Sequence, residues 1–500
     1  MNGKPLKTTE RRTEYIFFAV SILFLIFSMS HNLMHSALWG DEWAEYHISQ
    51  KAIRNGELYQ NIVNTFQPPL YNYVMHFWLR INQSLVWFRS FNVVIGTLAG
   101  AALYLTIRKL SNYKIASLGV VALASCYQWI FCVQECSEYA LMLFLLFIGV
   151  WAYVMCIESF SIKWLALLIV ANVGAIYSQY GSVFVAAPLL ISAFIRFVLC
   201  KDNDKKRRIT VLVAYIASAL MFALPLYVFF LKIQLANNQI SENKVAFSPE
   251  LMKDLPFTLG RIITYFYHLD SSPRVMWIGG LFTLAVIAAS IFLIVKGKLS
   301  YSKKSILVML CITYLVHYLL VQLHIYAMVH PDKSAGFLGR YSYFYIPLLL
   351  VAMGVIFDSL LQRSNRLKTV SLTLCGALML CMFFSYYDIW GNWYKAKDDQ
   401  FAKIWVENRG YECTTYLFGV AEDGFDYYIS HEDGFEEYWL DSKTYDLDME
   451  NLPDRFWAWR TNWGGNGWID LINKAREEGY TVTVYDDSGY DGQLAYCERI

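Results

Sequence analysis

Two adjacent carboxylates directly follow the first apolar segment of the chain, in the sequence Leu38-Trp39-Gly40-Asp41-Glu42-Trp43. Apolar residues recur after them at every fourth position, which predicts a helix: Ala44, Ile48 and Ala52. A carboxylate at a helix N-terminus stays ionised, and beside a membrane surface it can accept a proton from a bound hydroxyl group. Asp41 is also well placed to cap the helix, with Glu42 complementing the helix dipole, so the pattern alone leaves both roles open.

The predicted helix ends at Asn55-Gly56, and the proline-containing motif Thr65-Phe66-Gln67-Pro68-Pro69-Leu70-Tyr71 follows it. Proline suits the first turn of a helix, and the aromatic-rich stretch 70–82 continues the pattern. Such a helix reaches only ~21 Å at about 1.5 Å per residue, which is too short to cross a bilayer. We therefore predict that it lies in the membrane interface and helps to form a lipid-facing groove.

The composition of the whole chain indicates that a bilayer is its main solvent. Hydrophobic residues make up 56% of the 500 residues and charged residues 17%, against roughly 25% charged in a soluble protein. The net charge is only +1, so nucleic acid is not expected as a partner. From Asp388 onward the chain holds 24 acidic and 10 basic residues, and before it 17 acidic and 32 basic. An apolar basic body is thus joined to an acidic tail.

Eleven segments are apolar over a length that suits a transmembrane helix, about 20 residues. They centre on residues 15–34, 87–107, 115–133, 140–157, 164–177, 183–199, 209–231, 275–295, 305–327, 341–361 and 369–387. We therefore predict an all-α polytopic membrane domain of about 11 transmembrane helices. The first segment is interpreted as an anchor rather than a cleaved signal peptide, because its apolar run is long and His35-Ser36-Ala37 is a poor cleavage site.

Basic residues set the predicted orientation of these segments. If the N-terminus lies inside, every second connection also lies inside, and these are the connections rich in Lys and Arg: residues 108–114, 163, 201–208, 296–304 and 363–368. We expect a multi-pass protein of the plasma (inner) membrane whose N-terminus is cytoplasmic. The acidic tail is then extracytoplasmic, together with two long connections at residues 36–86 and 232–274.

This topology predicts a transmembrane domain at residues 1–387 and a small soluble α/β domain at 388–500. In the tail we predict strands at 414–420 and 481–485, and helices at 399–409 and 469–478. The Trp-rich stretch 456–468 is either a surface loop able to stack on sugar rings or part of an aromatic core. A disulfide between Cys413 and Cys497 is one option on the oxidising side of the membrane. No spacing typical of a zinc site occurs.

Three further motifs follow the carboxylate pair and the Pro-Pro-Leu-Tyr helix in order. They are Gln134-Glu135-Cys136-Ser137-Glu138-Tyr139-Ala140-Leu141 before the fourth span, Ile176-Tyr177-Ser178-Gln179-Tyr180 at the end of the fifth, and Gly339-Arg340-Tyr341 with Ile346-Pro347. Tyr394-Lys395-Ala396-Lys397-Asp398-Asp399 then opens the tail domain. In this order they resemble the membrane glycosyltransferases of the GT-C fold, most closely the superfamily of protein O-mannosyltransferases and lipid A aminoarabinose transferases. The resemblance covers nearly the whole chain.

Three positions depart from the pattern of these relatives. Gln67 stands where a Lys or His usually precedes Pro-Pro, Ser137 where Arg is usual, and Gln179 where His is usual. Because three basic positions have become neutral, we expect different contacts to the acceptor or the donor phosphate. Arg340 is kept.

The resemblance implies an inverting glycosyltransferase, a hexosyl- or pentosyltransferase. It would move a sugar from a polyprenyl-phosphate donor to a glycan, lipid or protein acceptor on the extracytoplasmic face. It implies Asp41 as the general base and Glu42 as a second carboxylate that positions the acceptor or the base. A guanidinium suits the leaving phosphate, and the expected donor phosphate-binding residues are Arg340, Tyr341, Gln67, Arg261 and His268.

This scheme requires no cofactor, although Asp41 and Glu42 could hold Mg²⁺ through water molecules. The main alternative is a transporter or flippase for a lipid-linked saccharide. It would favour ionisable residues inside the spans, whereas here the carboxylates cluster at the outer surface. A saccharide polymerase or ligase would place its chemistry in a late outside loop, and a scaffold protein would leave the first-loop motif unexplained.

Overall fold

The computed structural model describes residues 8–31, 33–34, 37–38, 40–65, 67–199, 205–236, 273–322, 343–362, 369, 397–419, 421–430, 443–460, 467–486 and 493–499. The chain forms two compact units. One consists of Met1–His31 and Ile48–Ile389, and the other of Asn32–His47 and Trp390–Ile500. The segment that carries the carboxylate pair is therefore grouped with the C-terminal part of the chain.

Helices build the described part of the chain up to Leu361. In chain order they are α1 (Thr8–Ser30), α2 (Gly40–Gln50), α3 (Glu57–Asn64), α4 (Leu70–Leu79), α5 (Leu85–Leu110), α6 (Tyr113–Ala124), α7 (Tyr127–Gln134), α8 (Glu138–Ser159), α9 (Ile162–Ser178), α10 (Val183–Leu199), α11 (Lys205–Ala236), α12 (Pro273–Lys296), α13 (Tyr301–Gln322) and α14 (Tyr345–Leu361). Two π-helical stretches, Ala219–Ala223 and Tyr227–Leu231, interrupt α11.

Among the described residues, six helices are long and apolar enough to cross a membrane, and four further apolar helices are shorter. Ten of the predicted spans correspond to these helices, and α10 has the predicted bounds, Val183–Leu199. The last predicted span, 369–387, lies outside the described residues except for Thr369. The expectation of a mostly helical, multi-pass membrane protein is thereby confirmed.

One predicted span is two helices. Residues 115–133 were expected to form a single span, but the chain turns between α6 and α7. The Ser125 hydroxyl donates to the Val121 carbonyl at 2.9 Å, and the Cys126 amide donates to the Leu123 carbonyl. The Cys126 amide thus bonds to the carbonyl three residues back instead of four, and the regular pattern of α6 ends at Ala124.

The helices of this unit pack closely in its interior. Gly149 of α8 lies against Asn172 of α9, where an added Cβ atom would approach Asn172 Nδ2 to 2.8 Å. Asn172 Nδ2 donates to the Leu168 carbonyl of its own helix at 2.8 Å. Such small-residue contacts let helices approach closely in a membrane, where apolar burial gives little driving force between helices.

Ion pairs join the helix ends that carry the basic connections. Glu14 lies near the start of α1, Arg108 and Lys109 near the end of α5, and Glu158 near the end of α8. The pairs are Arg108–Glu14 at 2.6 Å, Lys109–Glu158 at 2.9 Å and Lys303–Asp358 at 2.7 Å. Ser302 of α13 also donates to Glu158 at 2.8 Å. These basic helix ends therefore lie at one end of the helical unit.

The second unit contains a mixed five-stranded sheet. Its elements are α15 (Asp398–Glu407), β1 (Thr414–Phe418), α16 (Ala421–Ser430), β2 (Lys443–Thr444), β3 (Arg455–Arg460), α17 (Gly467–Glu477), β4 (Tyr480–Asp486) and β5 (Gln493–Arg499). The strand order is β2-β1-β3-β5-β4. β1 runs parallel to β2 and β3, whereas β5 runs antiparallel to β3 and β4.

Helices cover both faces of this sheet. Trp457 and Trp459 of β3 pack on one face with Phe401 and Trp405 of α15 and with Phe425 of α16. Their neighbours along β3 point to the opposite face and pack with α17: Phe456 and Ala458 join Trp468, Leu471 and Ile472. The Trp-rich stretch is therefore the aromatic core up to Arg460, and its interpretation as a surface loop was wrong there.

The proposed disulfide between Cys413 and Cys497 is not formed, and both thiols are free. Cys413 directly precedes β1, whereas Cys497 lies in β5 opposite Phe456 of β3. Because β3 separates β1 from β5, the strand that follows Cys413 does not pair with the strand that carries Cys497. They also pack in different clusters, Cys413 with Trp457 and Cys497 with Phe456.

Candidate active site

The two carboxylates of the first loop lie in the first turn of α2, which begins at Gly40. Asp41 is therefore inside the helix, and its predicted role as the N-cap is wrong. Asp41 is half-buried, whereas Glu42 is 0% exposed. Asp41 is consequently the carboxylate of the pair that a substrate can reach.

A third carboxylate lies one turn further along α2. Glu45 is 1% exposed and follows Asp41 by four positions and Glu42 by three. Residues at these spacings share one face of a helix. Glu45 was not predicted as a site residue, although the same helical spacing places it beside the pair.

Within the second unit, Trp43 and His47 of α2 contact α16. Trp43, which is almost completely buried, lies 5.3 Å from the ring of Tyr427 in α16 and stacks on His47 at 5.7 Å. His47 Nε2 lies 3.1 Å from Asp423 Oδ1. The helix that carries Asp41 and Glu42 is thus attached to α16 on its tryptophan side.

The end of α2 differs from its prediction. The helix ends at Gln50, and Asn55-Gly56 instead begins α3, a helix that was not predicted. Asn55 Oδ1 accepts from the Glu57 amide at 3.2 Å, and Gly56 adopts a φ of 79°, which glycine tolerates best. His76 Nδ1 of α4 donates to the Ser49 carbonyl at 2.9 Å, within the helical unit.

The Pro-Pro motif leads into α4 as predicted, with Pro69 directly before Leu70. Helix α4 is short, and its end is fixed to α5 by a stacked pair of tryptophans. The Trp78 and Trp87 rings lie 4.3 Å apart, and each indole nitrogen donates to the backbone carbonyl of the other residue, at 2.8 and 2.9 Å.

Gln67 is held by a residue that the sequence analysis missed. Gln234, near the end of α11, donates from Nε2 to the Gln67 carbonyl at 2.8 Å and to the Ile62 carbonyl at 3.1 Å. Its Oε1 accepts from Tyr180 Oη at 2.7 Å. Two motifs singled out from the sequence, at Gln67 and at Gln179-Tyr180, therefore meet at Gln234. No local pattern marks this lone amide at the end of an apolar helix.

The motif before the fourth span holds the end of α1. Gln134 Nε2 donates to the His31 carbonyl at 2.9 Å and to the Met29 carbonyl at 3.3 Å. Asn92 of α5 donates to the Glu135 carbonyl at 2.6 Å. The side chains of Glu135 and Glu138 are both buried, so this motif also brings two carboxylates into the helical unit.

The remaining predicted site residues, Arg340, Tyr341, Arg261 and His268, lie outside the described residues. The first described residue after Arg340 in the sequence is Tyr343. Its ring lies 5.4 Å from that of Tyr139 at the start of α8. As for metals, the described ranges contain no group of three or more His, Cys, Asp and Glu side chains placed to hold an ion.

A family model matches residues 66–229, and its description is dolichyl-phosphate-mannose-protein mannosyltransferase. This segment runs from the Pro-Pro motif through the fourth- and fifth-span motifs to α11. No curated protein sequence matches the chain. The family resemblance inferred from the motifs is confirmed by this match.

Solved structures show which fold the chain shares. An oligosaccharyltransferase from Archaeoglobus fulgidus, tethered with an acceptor peptide, has a TM-score of 0.52 at 13% identity over 84% of this chain. The same enzyme with Zn and sulfate has a TM-score of 0.50 at 11% identity over 83% of this chain. This chain spans only 63% and 61% of the length of those two chains.

ArnT from Cupriavidus metallidurans in the apo state aligns over 98% of both chains, with 13% identity and a TM-score of 0.44. The fold assignment therefore rests on the higher-scoring oligosaccharyltransferase. Over residues 66–229 the chain is similar to the dolichyl-phosphate-mannose-protein mannosyltransferases, and it shares the fold of the oligosaccharyltransferase from Archaeoglobus fulgidus.

Proposed function

We propose that this chain is an inverting membrane glycosyltransferase. It transfers a sugar from a polyprenyl-phosphate donor to a glycan, lipid or protein acceptor on the extracytoplasmic face. The observation that carries the proposal is the first turn of α2, where Asp41 is accessible and Glu42 is enclosed. The family description, which names a mannosyl dolichyl phosphate, supports a polyprenyl-phosphate sugar as the donor class.

In the proposed step, the acceptor oxygen attacks the anomeric carbon of the sugar from the side opposite the phosphate. The carbon–oxygen bond to the phosphate breaks, and polyprenyl phosphate leaves with the bonding electron pair. Asp41 takes the proton of the acceptor hydroxyl, and Glu42 orients Asp41 or the acceptor. Phosphate is a good leaving group, so the reaction needs no second carboxylate as a general acid.

The leaving phosphate gains negative charge in the transition state, and a preorganised guanidinium stabilises such charge well. We assign this role to Arg340, with Tyr341, Gln67, Arg261 and His268 as further donor phosphate contacts. Because Gln67 and Gln179 are neutral, arginine is the main residue that stabilises the phosphate charge in this scheme. The described residues lack a set of ligands that fits a metal ion, and no step of the proposal uses one.

The proposed topology has a cytoplasmic N-terminus, a transmembrane domain at residues 1–387 and an extracytoplasmic domain at 388–500. The ion pairs that gather the basic ends of α1, α5, α8, α13 and α14 at one end of the helical unit support it. Basic residues concentrate on the cytoplasmic side of membrane proteins, so this end of the unit faces the cytoplasm.

The experiment that tests the proposal uses purified full-length protein in nanodiscs with a panel of radiolabelled polyprenyl-phosphate sugars. Wild type should release or transfer the sugar of one donor, and Asp41→Asn should lose at least ~100-fold of this turnover at an unchanged melting temperature. Glu57→Gln is the matched control, because Glu57 is an exposed acid in the first turn of α3.

Two outcomes would contradict the proposal. If no donor is turned over but labelled lipid crosses the bilayer of a proteoliposome, the chain is a flippase. If Asp41→Asn lowers melting temperature and turnover together, Asp41 serves the stability of α2 rather than proton transfer.

A further inference from the structure

Helix α16 packs on the sheet of the C-terminal unit, and it also contacts α2 through a side chain that does not take part in that packing. His47 Nε2 and Asp423 Oδ1 lie 3.1 Å apart, and the two side chains are 43% and 42% exposed. An exposed pair of this kind contributes little to the stability of a folded chain. The contact instead fixes the orientation of α2 at one point against α16.

An aromatic contact fixes a second point one turn earlier. Trp43 is 2% exposed, with its ring 5.3 Å from Tyr427 and 6.3 Å from Tyr428 of α16. The same ring stacks on His47 at an interplanar angle of 19°. Trp43 directly follows Glu42 in the sequence, so a rotation of α2 that moved the carboxylates would also break this contact.

Helix α16 is a rigid support for these contacts. Phe425 and Ile429 on its inner face are both completely buried, in the same cluster as Trp405 and Trp459. On another side, Asp426 forms an ion pair with Lys443 at 2.6 Å. The helix is thus anchored in the sheet domain independently of α2.

We propose that His47 and Asp423 are positioning residues for the sugar transfer. Together with Trp43, they fix the orientation of α2 on α16, so that Asp41 and Glu42 are held in the geometry that the reaction needs. This inference rests on the proposed function of Asp41. A displacement of about 1 Å in a catalytic group can cost on the order of 100-fold in rate, so a weak contact at this place can matter for turnover.

The test compares Asp423→Ala, His47→Ala and the double variant with wild type in nanodiscs. Each single variant should lower kcat for transfer by about 3- to 10-fold and leave the donor KM unchanged, because α2 is misoriented while the donor still binds. The double variant should be no slower than the slower single variant, because the two residues act as a unit. Asp423→Glu, which keeps the carboxylate, should retain kcat within about 2-fold.

Asp426→Ala is the matched control. It removes an ion pair from the same helix, but its partner Lys443 belongs to β2 and not to α2. A loss of kcat in Asp426→Ala equal to that in Asp423→Ala would overturn the inference, because the effect would then come from the stability of α16. Full multiplication of the two single losses in the double variant would also overturn it.

Hydrogen exchange of the Gly40–Gln50 amides supplies a measurement that does not depend on activity. Exchange should be faster in Asp423→Ala than in wild type and Asp426→Ala. Faster exchange with unchanged kcat would show that the pair holds α2 but does not position it for transfer, and would overturn the inference. If wild type transfers no sugar, the proposed function fails first, and this result is distinct from the others.

Discussion

Tyr180 donates a hydrogen bond from Oη to Oε1 of Gln234 at 2.7 Å, across 54 residues of chain. Gln234 is 1% exposed, and its Nε2 donates to the carbonyls of Gln67 and Ile62. Both polar atoms of this buried amide are therefore satisfied. Gln234 of α11 therefore holds the loop before the Pro-Pro helix in place. Gln234 is itself held by Tyr180, which lies just before α10.

Gln234→Leu should destabilise the protein and raise the donor KM several-fold. The substitution removes the hydrogen bonds of Gln234 to the Tyr180 hydroxyl and to the Gln67 carbonyl, at a cost of about 1–3 kcal/mol for a buried group left unsatisfied. The Ile62 carbonyl still accepts from the Thr65 hydroxyl at 2.9 Å. The substitution also frees the loop that carries Gln67. The measurement is donor titration together with thermal unfolding.

Tyr59→Phe is the control for Gln234→Leu. Tyr59 also bonds to α11, through the Phe229 carbonyl at 2.9 Å, but it does not contact Gln67. We expect it to leave the donor KM unchanged. A Gln234→Leu variant that unfolds earlier but binds donor normally would show that the loop does not take part in donor binding.

Arg340→Ala should weaken the use of the donor, with a lower kcat/KM, and Arg340→Lys should restore it only in part. Lysine supplies a positive charge but lacks the planar fork that binds two phosphate oxygens at once. Steady-state kinetics with the identified donor measure both variants. Arg80→Ala, at an exposed arginine after α4, is the control, and an equal loss there would remove the special role of Arg340.

Hydropathy and charge predicted the membrane helices well, because a bilayer imposes a length and an apolar composition on any span. They could not predict the turn at Ser125, because no local pattern marks the change to the shorter backbone bond from the Cys126 amide to the Leu123 carbonyl. Gln234 was missed for a similar reason. Its role comes from partners at Gln67 and Tyr180 that are distant in the sequence, and an isolated amide carries no pattern.

In the tail, strand β3 was not predicted as a strand, although an aromatic core was one of the two alternatives for this stretch. The sequence Phe456-Trp457-Ala458-Trp459 is continuously apolar, which is typical of a central strand buried on both faces. The relation of Cys413 to Cys497 could not be predicted, because it depends on the strand order around β3. The carboxylates Asp41 and Glu42 were identified from spacing, but their different exposure follows from packing alone.

The two tail cysteines should behave as unreactive thiols. Burial raises the pKa of the Cys413 thiol to about 11 and that of Cys497 to about 12, so neither is a thiolate at neutral pH. Iodoacetamide should modify them slowly in the folded protein and fully after unfolding, with or without a reductant. A requirement for reductant before labelling would show that they are paired, and a lower melting temperature in reductant would agree with that.

The stability of the C-terminal unit should fall as pH rises through the titration of Asp398. This carboxyl is 1% exposed, and Trp459 Nε1 donates to its Oδ1 at 2.8 Å. Burial raises its pKa from 3.8 to about 7, outweighing the Trp459 hydrogen bond, which lowers it. The folded state therefore holds this proton more tightly than the unfolded state does. The resulting stabilisation is complete below about pH 4 and is lost as pH rises to about 7.

Asp398→Asn should remove this pH dependence, because an amide is neutral at every pH and still accepts from Trp459. At pH 8 the variant should be more stable than wild type by an amount on the order of a few kcal/mol. Hydrogen exchange of α15 and β3 in the full chain, measured from pH 5 to pH 8, reports the difference. Asp448→Asn is the control, since hydrogen bonds from Asn451 and the Glu450 amide lower the pKa of that exposed carboxyl. Identical pH profiles for wild type and Asp398→Asn would mean that Asp398 is already ionised in the folded protein across this range, and that a partner stabilises its charge.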